Sequence, residues 1–482
     1  MPDFRPVLYI LGLFVSGLGA TMVVPALVDA ALNNPDWEVF VAGALICLFV
    51  GGTLVLVNHS KSMLLDLKQG FLLTAASWIA LPAFAAVPFT FGELDLRFVD
   101  AYFEAVSGLT TTGSTILVGL DHMPPGILLW RALLQWVGGL GIIAMAIAML
   151  PFLRVGGMQL FRMESSDRSA KILPRPAQIV GGIGGAYLGL SALCAACYWV
   201  AGMDAFEAIT HAMTTLSTGG FSTSDSSLAY FDSAWVDAVA TIFMLAGGIP
   251  FVLYVQALRG EPAALWRDPQ VRALVGALAI VVMVIVLWLW LHQGMNPYTA
   301  FRHTALNVVS VVTTTGFAST DYSQWGGFAV LAFFFLTFAG GCTGSTSGGI
   351  KVFRFLVGGI LLAAQIKRLA HPNTVFVRKF GGRPLGEDVI VSVSVFIFLY
   401  VAVVALLSAG LSLQGLDFIT AASGAATAVS NVGPGLGPII GPVGNFQPLP
   451  DGAKWLLSLG MLLGRLEFFT ILVLLTPAFW RG

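Results

Sequence analysis

AFEAITHAMTTLSTGGFSTSD (205–225) is too polar to cross a bilayer and too ordered to be a plain loop, and three other stretches share its ending. They are AYFEAVSGLTTTGST (101–115), AFRHTALNVVSVVTTTGFASTD (300–321) and FITAASGAATAVSNVGPGLG (418–437). Aligned on one glycine, Thr112-Gly113, Gly219-Gly220, Thr315-Gly316 and Val432-Gly433 fall in register. The second and third stretches also share Gly-Phe and a following Asp225 or Asp321. The glycines are separated by 107, 96 and 117 residues, near enough to a constant period for one span–short helix–loop–span unit used four times. The chain thus carries fourfold pseudosymmetry.

Each stretch reads as a short helix followed by a glycine loop. Asp204, Asn296-Pro297 and Asp417 are cap-type residues opening the last three, whereas the first has no clear cap. Non-helical backbone at membrane depth is tolerated only where it is buried in protein or lines an aqueous cavity, so four such loops surround a pore. Carbonyls of an extended Thr/Gly backbone can replace the hydration shell of a cation, and the half-helices aim their negative ends at the centre. Glycine at Gly113, Gly220, Gly316 and Gly433 permits backbone angles that other residues reach only with strain. One Thr-Thr-Gly alone is an ordinary loop; four in register are not.

The composition agrees. Of 482 residues 57% are hydrophobic and 10% charged, with 55 Gly and 23 Pro, against about 25% charged in soluble domains. Runs long enough to cross the bilayer lie near 7–28, 38–57, 70–91, 126–152, 178–201, 234–258, 271–292, 325–349, 388–413 and 453–479, about ten crossings. The first lacks a cleavage site and stays in the mature protein. Arg5, Lys61, Lys68, Arg154, Arg162, Arg168, Lys171, Arg175, Arg259, Arg267, Arg272, Arg354, Lys367, Arg368, Arg378, Lys379, Arg383 and Arg481 fall on one side. That side is cytoplasmic by the positive-inside rule, with both termini inside. The basic stretch 351–387 suits a regulatory subunit or anionic lipid head groups. Cys47, Cys194, Cys197 and Cys342 sit in apolar or Gly-rich runs without the partners a zinc site needs. The expected fold is therefore an all-α polytopic membrane protein with four pore repeats and two extra N-terminal helices. Its segments are 1–69, 70–153, 154–258, 259–366 and 367–482, all within one membrane domain.

These residues resemble the TrkH/TrkG group of bacterial potassium-uptake proteins, in the superfamily that includes KtrB and plant HKT transporters. The resemblance covers nearly the whole chain. It rests on the four glycine loops, on AGGCTGSTSGGIKVFR (339–354), on LGRLEFFTILVLLTP near the end and on the N-terminal DFRPVLYILGLF. It implies K⁺ uptake across the bacterial inner membrane by a homodimer with a pore in each protomer, gated by a TrkA-like cytosolic nucleotide-binding ring. Carried over residue by residue, the selectivity filter comprises Thr111, Thr112 and Gly113; Thr218, Gly219 and Gly220; Thr314, Thr315 and Gly316; and Asn431, Val432 and Gly433. The TVGYG of tetrameric K⁺ channels is missing, and one glycine per loop is shared by all four.

The eighth span holds TFAGGCTGSTSGGIKVFRF (337–355). Glycine costs about 1 kcal/mol relative to alanine in a helix, so the helix is expected to break there, with close small-residue packing as the alternative. The resemblance marks Gly340, Gly341, Gly344, Ser345, Gly348, Gly349 and Lys351 as an intramembrane gating loop. Arg465, eleven residues past Lys454, falls near mid-membrane, where a charge costs about 2.5–3.5 kcal/mol and is a functional candidate. It is expected to repel cations below the filter. Glu467, two residues on, faces elsewhere on the helix and is a poor partner for it. His211 and His303 read as neutral packed imidazoles. Asp121, Asp225 and Asp321 read either as cation concentrators at the outer mouth or as solvated acids.

Two other readings compete. A K⁺/H⁺ or K⁺/Na⁺ symporter would need an intramembrane carboxylate at a broken helix, for which Glu467 is the candidate. A membrane-embedded enzyme would need convergent acids, histidines or a metal site, and no such motif or nucleotide fingerprint is present. No cofactor of the chain itself and no nucleic-acid partner is expected.

Overall fold

In hydrocarbon a backbone amide finds no partner but the chain, so segments of this composition become helices. The computed structural model describes residues 3–59, 65–149, 176–373 and 377–481. Lys61, Arg154, Arg162, Arg168, Lys171 and Arg175, which carry part of the orientation argument, lie outside the described residues.

The elements run in order α1 (Arg5–Ala31), α2 (Trp37–Val57), α3 (Leu67–Ala85), α4 (Phe98–Leu109), α5 (Pro125–Met149) and α6 (Pro176–Val200). There follow α7 (Ala205–Leu216), α8 (Ala234–Gly247), α9 (Phe251–Leu258), α10 (Pro269–Gln293), α11 (Pro297–Val312) and α12 (Gly327–Leu336). The chain continues through α13 (Val352–Ala370), α14 (Glu387–Leu413), α15 (Phe418–Ser430), α16 (Asp451–Arg465) and α17 (Phe469–Leu472). Between α13 and α14, β1 (Lys379–Phe380) pairs with β2 (Arg383–Pro384). Gly381 and Gly382, both at positive φ, make the two-residue turn such a hairpin favours.

Among the described residues seven helices are long and apolar enough to cross a membrane, and nine crossings result if each of two bent pairs counts as one. The protein is an all-α polytopic membrane protein. The 27 residues of α1 extend about 40 Å, enough for ~30 Å of hydrocarbon with tilt. It packs on α2 through small residues: a Cβ on Gly12 would stand 2.7 Å from the Gly51 carbonyl oxygen, and one on Gly19 2.7 Å from Cys47 Cβ. Such contacts replace the hydrophobic drive that lipid does not supply.

Three expected crossings take a different form. The run 234–258 bends by 95° between α8 and α9, and 453–479 bends by 102° between α16 and α17. The run 325–349 is a ten-residue helix, α12, followed by irregular backbone and then α13, so the basic stretch after residue 351 begins inside a helix. Arg354, counted with the cytoplasmic charges, is 3% exposed: it pairs with Glu467 at 2.8 Å and lies 3.6 Å from the centre of the Phe396 ring.

The caps explain where the short helices α4, α7, α11 and α15 start. Asp204 and Glu207 form a reciprocal capping box. Asn296 accepts from Tyr298 N ahead of Pro297 at the first turn, and Asp417 accepts from Ile419 N and Thr420 N. α4 has no side-chain cap; Arg97 precedes it and pairs with Asp100 and Asp451. Two apolar cores flank the centre. One joins α1–α5 to α14–α16, and the other joins α6 to α12.

Candidate functional site

The C-terminal ends of α4, α7, α11 and α15 run directly into the four glycine loops. In each loop the same two positions have left-handed backbone: Thr111 and Gly113, Thr218 and Gly220, Thr314 and Gly316, Asn431 and Gly433. Three threonines and an asparagine at φ between 51° and 59° are held in a conformation costing about 1–2 kcal/mol for residues with a Cβ. Four copies of one strained pattern indicate a demand imposed by the assembly.

The ring shows what the demand is. A Cβ on Gly113 would stand 2.2 Å from Gly219 O, one on Gly220 1.8 Å from Thr315 O, one on Gly316 2.1 Å from Val432 O, and one on Gly433 2.9 Å from Thr112 O. Each glycine abuts the carbonyl preceding the glycine of the next loop, and the fourth returns to the first. The loops close a ring in chain order, and a methyl group at any of the four would push its neighbour away. All four glycines line a cavity of about 190 Å³, walled also by Ser114, Asp225 and Asn445.

Around this ring the backbone and side chains are closely bonded. Thr110 and Thr112 share a hydroxyl contact at 2.7 Å, and Thr313 and Thr315 one at 2.9 Å. Ser114 donates to Gly433 O at 2.7 Å. Asn431 Nδ2 donates to Thr112 Oγ1 and to Met461 O. Asp225 accepts from Gly119 N and Leu120 N, and Asp321 accepts from Ser323 N, so both acids hold loop backbone in place. His211 is fully buried, bonded to Glu207 O and Ser222 Oγ, and His303 meets Ser319 Oγ.

Residues 337–351 lie under three of the loops. Gly348 N donates to Thr314 Oγ1 at 2.7 Å, and a Cβ on Gly348 would stand 2.3 Å from Ser430 O. Thr346 Oγ1 is 3.2 Å from Thr218 Oγ1 and 3.0 Å from Leu216 O. The two limbs of the segment pack backbone to backbone: a Cβ on Gly340 would meet Gly348 O at 2.3 Å, and one on Gly349 would meet Ala339 O at 2.1 Å. Gly341 O accepts from Val352 N and Gly344 O from Phe251 N, while Ser345 Oγ donates to Cys342 O. Lys351 occupies the cap position of α13. Cys342 N and Thr346 N donate to Gly248 O and Gly247 O at the α8–α9 bend. Two interrupted helices thus satisfy each other's freed backbone groups, the condition for irregular chain at membrane depth.

Comparison with known proteins identifies the family. The TrkH family profile, described as a cation transport protein, matches residues 37–481. The chain belongs to the TrkH family. It is 48% identical over 479 residues to the Trk system potassium uptake protein TrkI of Halomonas elongata, covering 99% of this chain and 97% of that one. It is 33% identical to the Trk system potassium uptake protein TrkG of Escherichia coli over 99% of both chains. The crystal structure of the potassium transporter TrkH from Vibrio parahaemolyticus superposes with a TM-score of 0.92 at 37% identity, covering 100% of each chain. The TrkH family is one of transporters, not enzymes.

In this TrkH-family chain Arg465, 3% exposed, ends α16 and donates through Nη1 to Thr346 O at 2.9 Å. Its Nε and Nη2 have no hydrogen-bond partner among the described residues. Glu467 is engaged by Arg354. Glu467 and Phe468 both have positive φ, the strained link that turns the chain by 102°. Cys47, Cys194 and Cys197 are free thiols.

The residue reading did not single out Glu104, Arg131 or Gln135. Arg131 on α5 and Glu104 on α4 form a buried ion pair at 2.9 Å with side chains 1% and 0% exposed. Arg131 also donates to Ser222 O and Thr115 Oγ1 and sits 4.1 Å from the Phe221 ring centre, while Ile116 N donates to Glu104. Every arm of the guanidinium is satisfied, as a buried charge requires. The available signal was the four-residue spacing of Arg131 and Gln135 on one face of an otherwise apolar helix.

Proposed function

We propose that this chain takes up K⁺ across the bacterial inner membrane through the ring formed by Thr111–Gly113, Thr218–Gly220, Thr314–Gly316 and Asn431–Gly433. The observation that carries this reading is the cyclic approach of each glycine to the carbonyl of the next loop. Four loops closed by backbone contact set a fixed aperture of carbonyl dipoles, where a cation exchanges water oxygens for protein oxygens. The C-terminal ends of the short helices add negative potential at the same point.

Residues 340–351 act as the gate, with Arg465, bound to Thr346 O and with Nε and Nη2 unpaired among the described residues, as a positive barrier below the ring. A unit charge there opposes a cation by about 2 kcal/mol at about 8 Å and an effective dielectric of about 20. The gate opens by displacement of this loop, which is built mainly of Gly, Ser and Thr and is hydrogen-bonded to its surroundings largely through its own backbone. The relatives are named as parts of a Trk system, consistent with a homodimer and a TrkA-like cytosolic nucleotide-binding subunit. The basic stretch containing Lys367, Arg368 and Arg383 offers a surface for that subunit or for anionic lipid, and α12 with α13, taken as a tenth, broken crossing, puts both termini on that same side. Passive conduction is preferred to symport because Glu467, the carboxylate a coupling mechanism would use, is paired with Arg354.

The test is flux from proteoliposomes holding the purified chain, with a K⁺ gradient and no other gradient, alongside Gly316→Ser. K⁺-favouring flux whose selectivity falls in the variant supports the reading. Flux that starts only when a proton or Na⁺ gradient is imposed sinks it in favour of the symporter.

A further inference from the structure

The second loop differs from the others at one position, and the deficit is filled from another repeat. Immediately before the ring glycine stand Thr112, Thr315 and Val432 in the first, third and fourth loops, but Gly219 in the second. In the first and third loops that threonine braces its own loop through Thr110 or Thr313, whose hydroxyls are anchored on Val106 O and Val309 O. The second loop has Ser217 and Gly219 there, and Ser217 Oγ donates to Thr214 O, on the helix before it, and not to a residue at position 219.

Gln135 of α5 occupies the missing side chain's place. A Cβ on Gly219 would stand 2.3 Å from Gln135 Cδ and 2.4 Å from its Oε1. The amide straddles Gly220: Nε2 donates to Gly219 O at 2.6 Å and Oε1 accepts from Phe221 N at 3.0 Å. Gln135 is fully buried, and one helical turn earlier Arg131 holds Ser222 O. Gly219 O is also the atom against which Gly113 of the first loop packs. Whatever positions that oxygen sets the spacing of two quarters of the ring.

We propose that Gln135 is a specificity-determining positioning residue, a surrogate for the side chain the second loop lacks, which fixes the first-to-second loop spacing and thereby the preference for K⁺ over Na⁺. The inference rests on the glycine ring being the selectivity filter. It makes a reciprocal prediction, because Gly219 does not have positive φ and accepts a side chain wherever Gln135 leaves room.

The experiment measures Rb⁺ and Na⁺ uptake in bacterial cells lacking their own K⁺ uptake systems, with membrane-embedded protein quantified. The variants are Gln135→Ala, Gly219→Ser, their combination and Gly316→Ser. Losing the amide leaves buried Gly219 O and Phe221 N unpaired, worth about one decade. Gln135→Ala is therefore expected to lower the Rb⁺/Na⁺ ratio about tenfold. Gly219→Ser clashes with the retained glutamine and lowers it as far, and the combined variant recovers to within about threefold of the parent. Recovery by combining two defects is not expected from a residue that only stabilises the fold. If either single variant fails to accumulate, the combined variant decides: a selective, folded protein supports the surrogate role, and one as defective as the singles overturns it. A lowered ratio for Gly316→Ser with an unchanged ratio for Gln135→Ala sinks this inference alone. An unchanged ratio for Gly316→Ser removes the filter reading and the inference with it.

Discussion

The glycine ring and the segment beneath it are both irregular backbone at membrane depth, yet they are held by different groups. The ring is braced from behind by a buried ion pair, two threonine pairs, Asn431 and Gln135. Residues 337–351 are held mostly through their backbone, with Cys342 N, Thr343 N, Thr346 N and Gly348 N donating to Gly248 O, Gln270, Gly247 O and Thr314, and Thr346 O accepting from an arginine with two unpaired nitrogens. The brace of the ring is a buried, mutually bonded side-chain network, which low dielectric strengthens, whereas the unpaired donors beside the lower segment belong to a buried charge, Arg465. A fixed aperture above and a gate below, as proposed, would use that difference.

Four substitutions probe that contrast, in descending effect. Glu104→Leu strands the Arg131 charge behind the ring and is expected to cost about 3–5 kcal/mol, read as a lowered thermal unfolding midpoint in detergent; an unchanged midpoint would show that the ring is not braced there. Arg465→Ala is expected to leave that midpoint close to the parent's while raising K⁺ flux roughly thirtyfold, the equivalent of about 2 kcal/mol of removed repulsion. Equal flux at all voltages would assign Arg465 to structure instead. Thr346→Val removes the hydroxyl shared with Thr218, Leu216 O and Gly247 O and should loosen the lower segment by about 1.5 kcal/mol. The check is faster thiol labelling of the buried Cys342, with no change in selectivity. Asp417→Ala removes the cap of α15 at its exposed end and should cost about 1 kcal/mol, visible as a small midpoint shift with the Rb⁺/Na⁺ ratio preserved.

Much of this molecule was readable from its residues because the signals are local. A run of apolar residues finds its hydrogen bonds within itself, so spans announce themselves. Asp204, Asn296 and Asp417 mark helix starts because a cap acts over three residues, and the first short helix, with no recognisable cap, has none. The glycines of 337–355 foretold a broken helix because each lacks the Cβ that favours helical backbone. Less legible were the bends at Gly248–Pro250 and Glu467–Phe468, where hydropathy runs on unbroken while the chain turns through 95° and 102°. Arg354 read as a cytoplasmic charge because its partner is 113 residues away.

The residues of this chain were sufficient to establish its class, its four repeats, the register of their glycines and the position of a weak helix beneath them, since each depends on composition or spacing within one segment. Only the closed structure decided that the loops meet in cyclic order, that α5 of one repeat braces the loop of the next through Arg131 and Gln135, and that Arg465 reaches Thr346 while Glu467 reaches Arg354. Those pairings depend on distances between segments up to more than a hundred residues apart, which come into being when the repeats pack around a common axis.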